Sequence, residues 1–124
     1  MTINDKRNET VRTVGWQVTS SLWSPPTDVF ETESGFIVRI EVAGMRESDF
    51  EIIYNDGVLL VRGVRADTPE RRAYHQMEIH FGKFSTSILV PGPIDLDAST
   101  AEYKDGFLNI NMPKAKKTEV KIEE

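Results

Sequence analysis

The chain has 124 residues, with 15 Lys and Arg against 20 Asp and Glu, a net charge of -5 and no cysteine. This is enough chain for one domain. The missing cysteines exclude disulfides, thiol redox chemistry, cysteine nucleophiles and thiolate metal sites, while the acidic balance opposes general attraction to nucleic acid or anionic membrane. No stretch approaches the roughly 20 apolar residues of a membrane span, and the opening MTINDKRNET lacks the apolar core of a secretory signal, so the expected location is the cytoplasm.

The first ten residues are polar and charged. Val11, Val14, Trp16, Val18, Leu22 and Trp23 then stand among small polar residues until Ser24-Pro25-Pro26 stops the run. The Thr and Ser content argues against a stable helix, so residues 1–24 read as an adaptable, sticky arm. From Thr27 the hydrophobic period is two. Phe36, Val38, Ile40 and Val42 share one face and Arg39 and Glu41 the other, which is the pattern of a half-solvated strand.

Phe50 to Tyr54 and Val58 to Arg62 flank Asn55-Asp56-Gly57, and so form a hairpin on a turn able to adopt positive φ. Gly63 to Ala73 reads as a long polar loop, followed by a short strand at Tyr74 to Ile79 and a turn at Gly82. Phe84, Thr86, Ile88 and Val90 alternate until Pro91-Gly92-Pro93 ends pairing. A last hairpin joins Thr100–Tyr103 to an alternating run with Leu108, Ile110 and Met112 inward, and Pro113 closes it. The charged tail, residues 114–124, carries two aliphatic residues, Val120 and Ile122, pointing the same way in an extended chain. Seven to nine short strands without a long helix predict an all-β, immunoglobulin-like antiparallel sandwich. Its expected divisions are an arm at 1–24, a core domain at 25–113 and a C-terminal extension at 114–124.

Within this frame the chain resembles the small heat shock proteins, the alpha-crystallin or Hsp20 family, in their bacterial or archaeal form. Pro26-Thr27-Asp28-Val29-Phe30-Glu31 is similar to the family's first core strand, Val42-Ala43-Gly44-Met45 followed by Asp49-Phe50 to its next connection, and Leu59-Leu60-Val61-Arg62-Gly63 to its central strand. Ala101, four further residues, Gly106, Phe107 and Leu108 follow the family's Ala, Gly, apolar, Leu signature, with Phe107 where Val is usual. Glu78, Gly82, Phe84 and Pro91 resemble a further segment, but Ile79 and Thr86 stand where arginines are common and Val90 replaces a leucine. A less ionic dimer interface is therefore expected.

The resemblance implies an ATP-independent chaperone that holds partly unfolded client proteins through Val14, Trp16, Val18, Leu22 and Trp23 of the arm. It further implies a dimer in which Tyr74, His75 and Gln76 of the loop swap onto the partner's edge at Asp28, Val29 and Phe30. Val120 and Ile122 would dock into another dimer, building higher oligomers, and ATP-dependent refolding chaperones are implied as further partners. Neither a catalytic residue nor a cofactor is expected. The competing reading is a p23-like sandwich adaptor serving one specific protein partner.

Other constellations carry less. His75 and His80 flank Glu78, but odd spacing on a strand would send the two rings to opposite faces, so no metal is expected there. Arg62, Arg65, Arg71 and Arg72 cluster around the loop, and Lys114, Lys116 and Lys117 follow the sheet. Without an aromatic stacking platform they read as solvation and salt pairing, with no nucleic-acid role. The carboxylates Asp28, Glu31, Glu33 and Glu41 show no pairing suited to glycoside chemistry beyond their abundance.

Overall fold

The computed structural model describes residues 1–5 and 22–116. Eight strands occupy them: β1 Ile3–Asp5, β2 Thr27–Glu31, β3 Gly35–Glu41, β4 Phe50–Asn55, β5 Val58–Arg65, β6 Gly82–Leu89, β7 Thr100–Lys104 and β8 Phe107–Pro113. They form two four-stranded sheets, ordered β1-β4-β5-β6 and β2-β3-β8-β7. Two 3-10 turns, Glu47–Asp49 and Leu96–Ala98, are the only helical elements among the described residues.

The period-two pattern positions the core. Val38, Ile40 and Val42 beside β8's Leu108, Ile110 and Met112 face Ile52, Leu59, Val61 and Phe84 of the other sheet, and all ten are at most 1% exposed. The described residues contain no buried charged side chain, and aliphatic and aromatic side chains fill the space between the sheets. Each such side chain contributes about 1.5–3 kcal/mol on leaving water.

Both expected hairpins form on Asp-Gly turns. Asp56 and Gly57 have φ of 46° and 81°, and Asp105 and Gly106 have 53° and 81°. Two successive positive φ values define the turn whose twist matches that of the strands it joins. Ala101 and Leu108 of the signature are buried, while Phe107 lies on the outer face. The Tyr103 hydroxyl donates to the Val42 carbonyl at 2.7 Å, and the Val42 amide donates to the Gly106 carbonyl at 2.9 Å, tying this hairpin to the end of β3.

Three expectations need correction. The polar first ten residues include a strand, β1, which pairs in parallel with β4 through Ile3 opposite Ile52, so the sandwich is antiparallel except at that edge. Ile3 packs against the core and supplies the apolar contact that holds it. The expected loop start at Gly63 is still strand, because β5 continues through Gly63 and Val64 to Arg65, paired with Phe84, Lys83 and Gly82. Tyr74 to Ile79 is not a strand in the single chain: residues 66–81 have no strand between β5 and β6, and their backbone finds no neighbouring strand to pair with.

Candidate functional site: an open strand edge and the loop beside it

Strand β2 bonds only to β3, so its other edge is open among the described residues. Register places Val29 opposite Val38 and Phe30 opposite Ile37, which turns Val29 toward the inner layer and Phe30 outward. Val29 is nevertheless 45% exposed, at the open edge of its sheet. On the outer side the Arg39 guanidinium lies 5.4 Å from the centroid of the Phe30 ring, and Asp28 stands opposite Arg39. At the strand's end Lys114 Nζ donates to Glu31 at 2.9 Å. An open edge with exposed apolar side chains is a template for another strand.

The long loop is exposed from Ala66 to His80, with Met77 63% and Ile79 64% accessible. Its first half is folded on itself. The Tyr74 hydroxyl donates to Asp67 Oδ2 at 3.2 Å, and Arg72 lies 3.6 Å from both Asp67 and Glu70 and also donates to Thr68. The Tyr74 hydroxyl, with Asp67 and Glu70, raises the pKa of the Arg72 guanidinium, which stays cationic. His75 and Gln76 follow with exposed side chains.

The loop is anchored at its base by an aromatic and cationic cluster. Trp23 lies along the edge of β6, where the Ser85 amide donates to its carbonyl at 3.0 Å. Its indole stacks on His80 at 5.5 Å between ring centroids and tilts against the core residue Phe84 at 5.4 Å. The indole N–H donates to the Gly82 carbonyl at 3.3 Å. Arg65 closes the cluster: Nε donates to the His80 carbonyl at 2.8 Å, and the guanidinium sits 4.5 Å over the Trp23 ring and 5.4 Å from that of Phe81. Both ends of the loop therefore bind to the same indole, beside a groove of about 620 Å³ that also reaches Pro26 at the start of β2.

Of the arm residues singled out in the sequence, Leu22 and Trp23 are half-buried, and Val14, Trp16 and Val18 lie outside the described residues. Val120 and Ile122 of the tail also lie outside them. The role of Arg65 was missed. By sequence it reads as one of the basic loop residues, although Val64 and Arg65 continue the alternation of β5 past Gly63. Among the described residues no three His, Asp or Glu side chains gather as metal ligands, and His80 is engaged with Trp23. No helix among them is long and apolar enough to cross a membrane.

A two-sheet sandwich with a long loop between its fifth and sixth strands, closed by the Ala101 to Leu108 hairpin, is the alpha-crystallin domain of small heat shock proteins. A small heat shock protein from Xylella fastidiosa, whose structure is described as having a distinct high order structure, superposes with a TM-score of 0.70 at 26% identity, covering 82% of this chain and 95% of that one. The pattern described as Hsp20/alpha crystallin family matches residues 28–123, and the chain belongs to that family. Small heat shock proteins C4 and C2 of Rickettsia felis are 31% and 34% identical to it, over 82% and 73% of this chain. The matches span 64% and 60% of those relatives, so the chain covers less than two thirds of either. Membership is consistent with a chaperone.

Proposed function

We propose that the chain is an ATP-independent holdase that binds partly unfolded proteins and keeps them from aggregating. The observation that carries this reading is the combination of the open β2 edge, with Val29 and Phe30 exposed, and an exposed loop carrying Tyr74, Met77 and Ile79. Both present unpaired backbone and apolar side chains, which suit strand exchange between copies and capture of non-native chains. In this reading residues 25–113 are the core domain. The arm 1–24 offers Val14, Trp16, Val18, Leu22 and Trp23 to clients, and the extension 114–124 docks Val120 and Ile122 on a neighbouring dimer.

Loop residues Tyr74, His75 and Gln76 exchange onto Asp28, Val29 and Phe30 of the partner. For that to happen Tyr74 must leave Asp67, a surface hydrogen bond of modest net worth, about 1 kcal/mol. The activity requires no catalytic group, metal or cofactor. It operates in the cytoplasm, and held clients pass to ATP-dependent refolding chaperones. The test is light scattering of a heat-denatured client with and without the protein, in the absence of nucleotide, together with the mass of the protein alone. Suppressed scattering by a dimer or larger assembly is expected; a monomer that leaves the client to precipitate overturns the reading.

A further inference from the structure

Each sheet has two edges, and the chain treats the two sheets differently. In the β2-β3-β8-β7 sheet the outer edges of β2 and β7 are bare among the described residues. In the other sheet β4 and β6 are both covered on their outer sides by residues from the start of the chain, in each case running parallel to the strand they cover. Strand β1 lies on β4 through Ile3 to Asp5, and Trp23 bridges to Phe84 on β6. There the Trp23 amide donates to the Lys83 carbonyl at 3.3 Å, the Ser85 amide donates to the Trp23 carbonyl at 3.0 Å, and Ser24 Oγ donates to the Ser85 carbonyl at 2.6 Å.

Charge sorts the four strands in the same way. The bare edges are charged: β2, TDVFE, carries two carboxylates in five residues, and β7, TAEYK, an acid and a base in five. Such side chains discourage an edge from pairing with another copy. The covered strands are not: β4, FEIIYN, has one charged residue in six, and β6, GKFSTSIL, one in eight. The one on β4, Glu51, is paired with Arg62 of β5 at 2.8 Å, so the strand presents no unpaired charge to a second copy. A β-branched and aromatic run without proline or free charge is the kind through which strands of separate chains pair. The three residues that β1 covers, Ile52, Ile53 and Tyr54, are that run.

We propose that β1 is an edge guard, which keeps β4 from pairing antiparallel with β4 of a second copy about a two-fold axis. The occupant follows from self-complementarity: antiparallel β4 on β4 sets the Ile52 to Tyr54 run of each copy against that of the other and opposes no unpaired charge. The guard is light. Ile3 alone packs against the core, while Asn4 and Asp5 are exposed, so β1 belongs to the low-stability end of the fold, where local opening is frequent. The proposal stands independently of the holdase reading.

Two full-length variants test it. Ile3→Asp removes the apolar anchor, and Asn4→Pro takes a backbone N–H out of the middle of β1. Once circular dichroism has shown the sandwich folded, hydrogen exchange and solution mass are followed from dilute to concentrated protein. In dilute solution the amides of residues 50–55 should exchange about tenfold faster than in the parent. On concentration the mass should rise to about twice the parent's, with those amides protected again. Unchanged exchange at 50–55 in both folded variants would show that β1 covers nothing there and overturn the proposal. A mass equal to the parent's at every concentration, or new protection at 27–31 in place of 50–55, would overturn it as well. So would loss of the fold in both variants, which would make β1 a part of the core rather than a guard.

Discussion

Gly63 lies in the middle of β5 with strands on both sides, and the packing there leaves no room for a methyl group. A Cβ at this position would sit 2.6 Å from the Asp49 carbonyl oxygen and 2.8 Å from Phe84 Cζ. The first obstacle is backbone. The second is a ring with no exposed surface, fixed between Phe50 at 6.1 Å and Trp23 at 5.4 Å between centroids. Overpacking a closed core typically costs about 1–3 kcal/mol, and with one backbone neighbour and one enclosed ring the substitution Gly63→Ala belongs near the upper end. For a chain of this size, about 4 °C of melting temperature is lost per kcal/mol, so the expected fall is about 12 °C. The comparison is Gly57→Ala, where φ is 81° and nothing lies within 4 Å of the added Cβ. Left-handed strain alone costs about 1–2 kcal/mol there, or about 4–8 °C. Thermal unfolding of the two variants and the parent at one protein concentration, followed by circular dichroism, measures both. If Gly63→Ala melts as high as Gly57→Ala, close approach of β5 to Phe84 is not what places glycine at 63, and the reasoning fails.

Four further outcomes follow from the same geometry. Trp23→Ala removes the indole from His80, Phe84 and Arg65; for a half-buried ring the loss is about 2 kcal/mol, and limited proteolysis within 66–81 should quicken, whereas an unchanged urea midpoint would deny the cluster its anchoring role. Gly106→Val forces a β-branched residue to φ 81° with Ala43 Cβ only 3.4 Å away, for a loss of about 2–3 kcal/mol that a melt without shift would contradict. Val29→Lys places a charge on the receiving edge and should lower the solution mass toward the monomer while leaving the melting of the single domain nearly unchanged; a constant mass would exclude this edge from assembly. Val120→Gly combined with Ile122→Gly should convert larger oligomers to dimers, and an oligomer of unaltered mass would refute tail docking.

Alternation was the part of the fold most open to reading. Phe36 to Val42 and Leu108 to Met112 each repeat an apolar residue at every second position, and in both cases that face is the core. The Asp-Gly pairs marked both hairpin turns because few other dipeptides accept two positive φ values. The pattern failed where the chemistry was ambiguous. Gly63 looked like a stop, since glycine weakens isolated strands, yet here it permits the close approach of Phe84 and Asp49 inside a continuing strand. Strand β1 was hidden because one apolar residue, Ile3, is too little for a period, and only the free edge of β4 gives it a partner.

The candidate site divides along the same line. The exposed edge residues Asp28, Val29 and Phe30 and the loop residues Tyr74 to Gln76 were named from the sequence through a family resemblance, with no local signal of their own. That Trp23 and Arg65, separated by 42 positions, meet over one ring at the loop base is a long-range contact that no local pattern encodes. The outward turn of Leu60 is of the same kind: Leu59, Leu60 and Val61 form a continuous apolar run that does not say which side is solvent until β4 and β6 pair on either side of it. The amino-acid sequence by itself determined the all-β class, the hairpins and the inward faces, because these depend on residues two to six positions apart. Which edges stay open, where the loop is clamped and which of three successive apolar residues turns outward were decided only by tertiary structure, because each depends on strands brought together from distant parts of the chain.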